Sequence, residues 1–561
     1  MNDTVVAKRK GSGLAGNPDV PALRSEFGFA VLLTVVFLFL GCLIILRHEV
    51  WRDECQAWMI TRDSASLPNL FYNLRYDGHP PLWYLLLYPI SRFAKQPCAM
   101  QLAHILLAAA AVYVFARFAP FGRLQRAIFA FGYFPFYEYA VISRNYAIGI
   151  VLLFIFCVLY PRRSRNLLSL SGVLFLLANA STYGWMISIA LGLTLFVAWL
   201  ADKRSGNQWA VPRWKTALSI GIIAVGIAIS TLIMMPEPDS GLYVEWYLKP
   251  DLVRAMNSLA AVGIGHFLIP DIFTQWRIGA DVQGFAPIQA VLGLALIMYS
   301  LFLFARRPVV LFAYAAATAM MLGFMYAKHP GAPRHHGHLF IVFVVCLWLS
   351  ACYKERELAS PFANKLTALC VRYSPVLLMV LLCVHLLGGI AASGRDIWLP
   401  FSRGRDVARF IEANGMSDIP ILGERDAPAS PVAAYLNRPI YYPANGRSGT
   451  YIVFDRERKR ELTNEQLIEA IDKFISQERR DVLLVLNRKP SPVVLSAFDV
   501  QSLGTFSGAI VIDETYWLFL VKCRVDEGRE DDKRATGRCD RRPSACNAQC
   551  PNPLVSHPSL I

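Results

Sequence analysis

Charge is what this chain has least of. Only 17% of its 561 residues are Asp, Glu, Lys or Arg, whereas 55% are hydrophobic and the mean hydropathy is +0.39. A soluble domain of this length has no use for so much apolar sequence, so the composition points to a polytopic membrane protein. Acidic residues are scarcer than basic ones, 41 Asp and Glu against 56 Lys and Arg, a net +15. In a nucleic-acid binder such an excess gathers into a basic patch. Here Lys and Arg fall in short gaps between apolar runs, as the positive-inside rule requires, and no nucleic-acid partner is expected. A cysteine framework is lacking too. Of the twelve Cys, Cys42, Cys157, Cys346 and Cys383 lie in apolar runs, where Cys packs as a small hydrophobe. Cys539, Cys546 and Cys550 sit in a polar tail without metal-ligand spacing. The chain shows no nucleotide-binding loop and no sequence repeat.

What is present in quantity is long apolar sequence. Residues 1–26 read as a disordered cytoplasmic tail. A charge-free run over 27–46 follows, long enough to cross a bilayer. Arg47-His48-Glu49 stands where a signal peptide would have a small-residue cleavage site, so this run is expected to be a retained first span with its N-terminus inside. The segment 82–90 is apolar but short and bracketed by Pro80, Pro81 and Pro89, which suits a helix at the membrane interface. Further runs lie at about 99–119, 126–140, 146–160, 166–181, 184–201, 216–235 and 372–392. Three more end at Arg306-Arg307, Lys328 and Tyr353, and 236–287 reads as a long outer segment. About eleven spans are expected over 27–393.

From residue 393 the pattern changes. Helical spacing over 404–414 is followed by an apolar run at 419–422, a helix at 431–436 and a strand at 439–442. A helix over 463–478 is capped by Thr463, and strands follow at 481–486 and 517–521. This alternation predicts a small α/β domain over 400–525 on the outer face, with a disordered tail over 526–561. The expected fold class is therefore mostly α, a membrane bundle with a small C-terminal α/β unit.

The chemistry concentrates in the polar breaks. The loop 47–84 holds Asp53 and Glu54 immediately after the first span, then Asp77-Gly78-His79-Pro80-Pro81. Charged groups this close to a bilayer are costly unless they face water, protein or substrate. Adjacent helical residues point about 100° apart, so one of the two acids is expected to face a reactant, as a base toward an acceptor hydroxyl or amine. The competing reading is a solvated loop with its acids paired to Arg47, Arg52 or Arg62. His79 suits a phosphate, a divalent metal ion or a sugar hydroxyl, or else simply caps the interfacial helix. Arg144, in Ser143-Arg144-Asn145-Tyr146, suits a bidentate clamp on a lipid-linked phosphate, or snorkels to lipid headgroups. The run Lys328 to His338 contains Arg334, His335 and His336, and phosphate contacts are favoured there over a metal.

Taken together, Trp51-Arg52-Asp53-Glu54, Asp77-Gly78-His79-Pro80-Pro81-Leu82 and Ser143-Arg144-Asn145-Tyr146 resemble the GT-C superfamily of integral-membrane glycosyltransferases. Within it they look most like the protein O-mannosyltransferase and lipid A aminoarabinose transferase group. The resemblance covers about 27–350. It implies a polyprenyl-phosphate sugar donor and a lipid, glycan or protein acceptor, with transfer at the extracytoplasmic face. In a bacterium that is the periplasmic side of the inner membrane. Asp53 matches the catalytic acidic position and Glu54 its neighbour. His79 matches a position that contacts metal or substrate, and Arg144 with Tyr146 matches an Arg-x-Tyr element, with Asn145 where Pro is common. The Arg334–His338 cluster matches no family motif. A transporter or lipid flippase would instead require ionisable residues deep within spans. An assembly protein would depend on the C-terminal domain and not on Asp53.

Overall fold

The structure is a computed structural model. It describes residues 20–206, 209–241, 245–267, 286–459 and 461–523, with side chains from residue 25. Most of the expected N-terminal tail, the tail 526–561 with its three Cys, and residues 242–244 and 268–285 of the expected outer segment lie outside the described residues.

The apolar runs fold as helices, because a chain in lipid must satisfy its backbone hydrogen bonds within itself. Among the described residues seven helices are long and apolar enough to cross a membrane. They are α1 (Val20–Ile45), α5 (Cys98–Phe118), α9 (Thr182–Arg204), α10 (Arg213–Met234), α12 (Ala286–Phe304), α13 (Pro308–Ala327) and α15 (Pro361–Trp398). The chain is a multi-pass integral membrane protein. The other expected spans are shorter or more polar: α6 (Arg123–Ala130), α7 (Tyr146–Leu159), α8 (Leu167–Ala178) and α14 (Pro333–Ser350). After α6 the chain does not continue as one α-helix. Residues Tyr133–Val141 form a π-helix, buried throughout. The segment expected to be external contains α11 (Leu252–Phe267), whose Ala261 and Val262 belong to the bundle core. Its Ala and Gly residues give it a face small enough to pack closely on its neighbours.

The loop 47–84 is not extended. It holds α2 (Arg52–Asp63) and α3 (Leu67–Leu74), and α4 (Leu82–Phe93) follows, too short to be a span. The C-terminal region forms a six-stranded sheet in the order β3-β2-β1-β4-β6-β5. Its strands are β1 (Ile421–Gly423), β2 (Ile440–Tyr442), β3 (Arg447–Gly449), β4 (Val482–Leu486), β5 (Val500–Phe506) and β6 (Tyr516–Val521). β1 runs parallel to β2 and β4, and the remaining pairs are antiparallel. Central β4 has alternate residues on opposite faces. Val482, Leu484 and Leu486 pack with Leu467, Ile471 and Phe474 of α18 (Asn464–Glu478), which Thr463 caps. Leu483 and Val485 join a second core with α16 (Gly404–Ala413) and α17 (Asp426–Leu436).

That second core also contains Cys55, Trp58 and Met59 of α2 and Trp83, Tyr84 and Leu87 of α4. The sheet region and the first polar segment therefore share one hydrophobic interior. This explains why twelve residues of low apolarity hold a helix next to a membrane bundle. α2 is fixed by burying aromatic and sulfur-containing side chains against α17 and α4, not by its own propensity.

Candidate active site

α2 begins with Arg52, Asp53 and Glu54, and the 100° step per residue sends the two acids in different directions. Asp53 faces a cavity of about 240 Å³ also lined by Gln56, Asp77, His79, Tyr84, Arg144, Arg334 and His335. Its Oδ2 accepts from Arg144 Nη1 at 2.7 Å and from Arg334 Nη2 at 3.2 Å. Burial raises the pKa of this carboxyl, but Arg144, then Arg334, then Arg52 outweigh it and hold the group below the ordinary carboxylate value. Arg52 itself is committed elsewhere, donating from Nη1 to Asp513 at 2.7 Å.

Glu54 turns inward and is fully buried. Its Oε1 accepts the Ser143 N–H at 2.6 Å and its Oε2 the Trp51 N–H at 3.2 Å. The same Oε2 pairs with His48 Nε2 at 3.0 Å, and His48 Nδ1 pairs with Asp396 at 2.7 Å. Burial lowers the His48 pKa, but Asp396 and Glu54 outweigh that and push it up to about 10, so the ring is an imidazolium at neutral pH. Asp396–His48–Glu54–Ser143 is thus a continuous polar chain from the end of α15 to the residue before Arg144. Glu54 does not line the Asp53 cavity.

Asp77 and His79 line the same cavity. Gly78 takes a φ of +68° between them, a turn that L side chains rarely adopt. It brings His79 Nδ1 back to Asp77 Oδ2 at 2.9 Å. Asp77 also accepts from Gln56 Nε2 at 3.1 Å and from the Tyr84 hydroxyl through a short hydrogen bond. Burial raises the Asp77 pKa, but His79, Tyr84 and Gln56 outweigh it and the carboxyl stays ionised. Among the described residues no group of three or more His, Cys, Asp or Glu is gathered as for a metal ion. Around His79 the described residues therefore do not supply a metal-ligand set.

Arg144 follows the π-helix, and its guanidinium lies 5.9 Å from the centroid of the Tyr146 ring. Tyr146 itself does not line the cavity. Arg334 enters from the first turn of α14 and lies over Trp51. Gly337, one turn on, is needed there because a side chain would run into the Tyr139 hydroxyl and the Phe134 ring. The histidines beside Arg334 are not cations. His335 Nδ1 accepts the Ala332 N–H at 2.8 Å, so that nitrogen carries no proton, and the ring stacks on Tyr183 with an interplanar angle of 16°. His336 is buried away from the cavity, with Nε2 donating to the Pro330 carbonyl at 3.1 Å. The phosphate contacts expected of these two rings thus meet a neutral His335 on the cavity wall and a His336 outside it.

No protein-family model matches the chain, and no curated protein matches it. Among solved structures it is similar to the crystal structure of ArnT from Cupriavidus metallidurans bound to undecaprenyl phosphate. The likeness has a TM-score of 0.43 and 14% identity, over 88% of this chain and 98% of that one. It is too loose to assign a residue role.

Of the residues singled out from sequence, Asp53, Asp77, His79, Arg144, Arg334 and His335 come together around one cavity, while Glu54, Tyr146 and His336 stand behind it. Gln56, Tyr84, His329, Ile452 and Phe454 also line it and were not singled out. Tyr84 and Gln56 belong to the same polar stretch as Asp53 and could have been flagged as hydrogen-bonding residues. Ile452 and Phe454 carry no sequence signal. They arrive because Gln56 exchanges two hydrogen bonds with the Ile452 backbone, at 2.8 and 2.9 Å.

Proposed function

We propose that this protein is a membrane glycosyltransferase that moves a sugar from a polyprenyl-phosphate donor to an acceptor, with Asp53 as base, Arg144 and Arg334 as the phosphate clamp, and catalysis at the extracytoplasmic face. The observation that carries the reading is the charge balance at Asp53. Two guanidiniums converge on one carboxylate at 2.7 and 3.2 Å, a local excess of positive charge at Asp53, while Asp77 on the same cavity is held by His79, Tyr84 and Gln56. A phosphodiester suits that local excess, and arginine is the side chain best shaped to hold it. The motif resemblance to GT-C enzymes supports the same donor.

Clamped by two arginines, Asp53 is a weak base, since a useful base has its pKa nearer the working pH. Donor binding relieves this. When the phosphate draws Arg144 and Arg334 toward itself, Asp53 loses its counter-charges and its pKa rises. It then accepts the proton of the acceptor hydroxyl or amine, whose lone pair forms a bond to the anomeric carbon. The bond from that carbon to the phosphate oxygen breaks, and its electron pair leaves with the polyprenyl phosphate. The two arginines stabilise the charge as it develops. In this scheme the base becomes competent only when donor is present. Glu54 is a positioning residue through Ser143, and neutral His335 contributes at most one hydrogen bond.

The test compares cell-envelope glycans and labelled polyprenyl-phosphate sugars in wild-type and Asp53→Asn cells. Loss of one sugar from a glycan, with its lipid donor accumulating, is expected. An unchanged profile in Asp53→Asn alongside a changed one in the deletion would remove Asp53 from the chemistry.

A further inference from the structure

A groove of about 350 Å³, lined by residues of α8, α9 and α10, lies at the end of the bundle far from Asp53. Tyr183, at the start of α9, stacks on His335 of the Asp53 cavity. Trp199 lines the groove and stands about 24 Å further along the same helix, at about 1.5 Å per residue. Phe196, Trp209 and Ile220 join it in the walls, and no charged side chain lines them. The groove is open on its outer side. α10 buries 17% of its most apolar stretch within the protein, the least of the seven long helices, and Phe196 and Ile220 are 57% and 65% exposed. An apolar surface left open on membrane-spanning helices is a place for lipid chains.

Charge gathers where these helices end. Between residues 159 and 219 the sequence has seven Lys and Arg and one acid, Asp202. That acid is already taken, by Arg163 at 2.6 Å and by the Trp209 indole N–H at 2.8 Å, which fixes the Trp209 ring in the groove wall. Lys203 Nζ lies 5.3 Å from the centroid of the Trp199 ring. Arg213 and Lys215 stand between Val211 and Thr216, both of which line the groove. Among the described residues Lys203, Arg213 and Lys215 have no carboxylate partner, and all three reach solvent. Tryptophan at the mouth and free cations around it are what an amphiphile with a negative head requires at a membrane interface. The chain's own N-terminal tail does not suit the groove, because Lys8-Arg9-Lys10 would bring like charge to it.

We infer that this groove binds one anionic glycerophospholipid, with an acyl chain against Phe196, Trp199 and Ile220 and its phosphate on Lys203, Arg213 and Lys215. The site is separate from the Asp53 cavity and stands whether or not a sugar is transferred there.

The test is native mass spectrometry of the purified full chain, delipidated in detergent and titrated with dioleoylphosphatidylglycerol, dioleoylphosphatidylcholine or undecaprenyl phosphate. Wild type is expected to take up one phosphatidylglycerol at least fivefold more tightly than phosphatidylcholine. The triple variant Lys203→Gln, Arg213→Gln, Lys215→Gln should bring the two lipids within twofold of each other. Thr216→Trp fills the groove from an exposed position while keeping every cation, and should weaken phosphatidylglycerol at least fivefold. A phosphatidylglycerol carrying a diazirine on its acyl chain should label peptides of α9 or α10. A preference for phosphatidylglycerol that survives the triple variant would overturn the headgroup contacts. A preference lost there but untouched by Thr216→Trp, with no label on α9 or α10, would reduce the site to diffuse surface charge and overturn the groove. Undecaprenyl phosphate displacing phosphatidylglycerol from α9 and α10 at lower concentration would overturn the glycerophospholipid as occupant.

Discussion

Replacing His48 with Gln tests the polar chain behind Asp53. In the native protein its imidazolium lies fully buried between Glu54 and Asp396, at 3.0 and 2.7 Å. Removing one partner of a buried ion pair costs about 3–5 kcal/mol, because the other charge stays buried. Glu54 would keep the N–H groups of Trp51 and Ser143, and Asp396 would keep the Tyr137 hydroxyl at 3.2 Å. These remaining donors put the loss at the lower end, about 3 kcal/mol. The sign with pH follows from the raised pKa. The contribution is fully present below the unfolded value of about 6.5 and is lost as pH rises through about 10. Thermal unfolding of the purified protein in nanodiscs, followed by tryptophan fluorescence, should show a gap between wild type and His48→Gln that is full at pH 6 and narrows steadily toward pH 10. Sugar transfer should fall too, since Ser143 fixes the backbone before Arg144, and a displacement of about 1 Å at a reacting group can cost about a hundredfold in rate. A gap below about 1 kcal/mol at pH 6, or one that stays constant to pH 9, would refute the buried cation.

Further outcomes are expected. Arg144→Lys keeps the charge but loses the planar fork, and transfer should drop by about 10²–10³ while the protein still folds, measured with radiolabelled lipid donor. Tyr84→Phe removes a donor from buried Asp77 and should lower stability by about 1–3 kcal/mol in the same unfolding assay. Asp53 has a depressed pKa, so its stabilising ion pairs persist above the unfolded carboxylate value and are lost only as pH falls through the lower folded one. The melting difference between wild type and Asp53→Asn should therefore hold steady from pH 7 to pH 5. A difference that disappears by pH 6 contradicts the double clamp.

The residues of the candidate site were legible where charge interrupts apolar sequence. Asp53, Arg144 and Arg334 stand out in such breaks, and two ion pairs join them across the fold. The sheet region was legible for the same kind of reason: β4 is a short unbroken apolar run, and Thr463 marks the start of α18. Other features depended on contacts that periodicity does not encode. Which of Asp53 and Glu54 faces the cavity was decided by His48 and by Asp396, 348 residues away from it in sequence. The π-helix at Tyr133–Val141 has the composition of an ordinary span, and α11 lies in a segment whose polar flanks suggested an external loop. The place of Phe454 in the cavity lining emerges only because Gln56 holds Ile452, two residues before it.

The most direct measurement is release of polyprenyl phosphate from a panel of labelled polyprenyl-phosphate sugars by the purified full-length protein in nanodiscs, with a glycan-bearing membrane extract as acceptor. Wild type should consume at least one donor, and Asp53→Asn should bind the same donor without consuming it. Asp53→Asn turning over donor at the wild-type rate would contradict the central role given to that carboxylate.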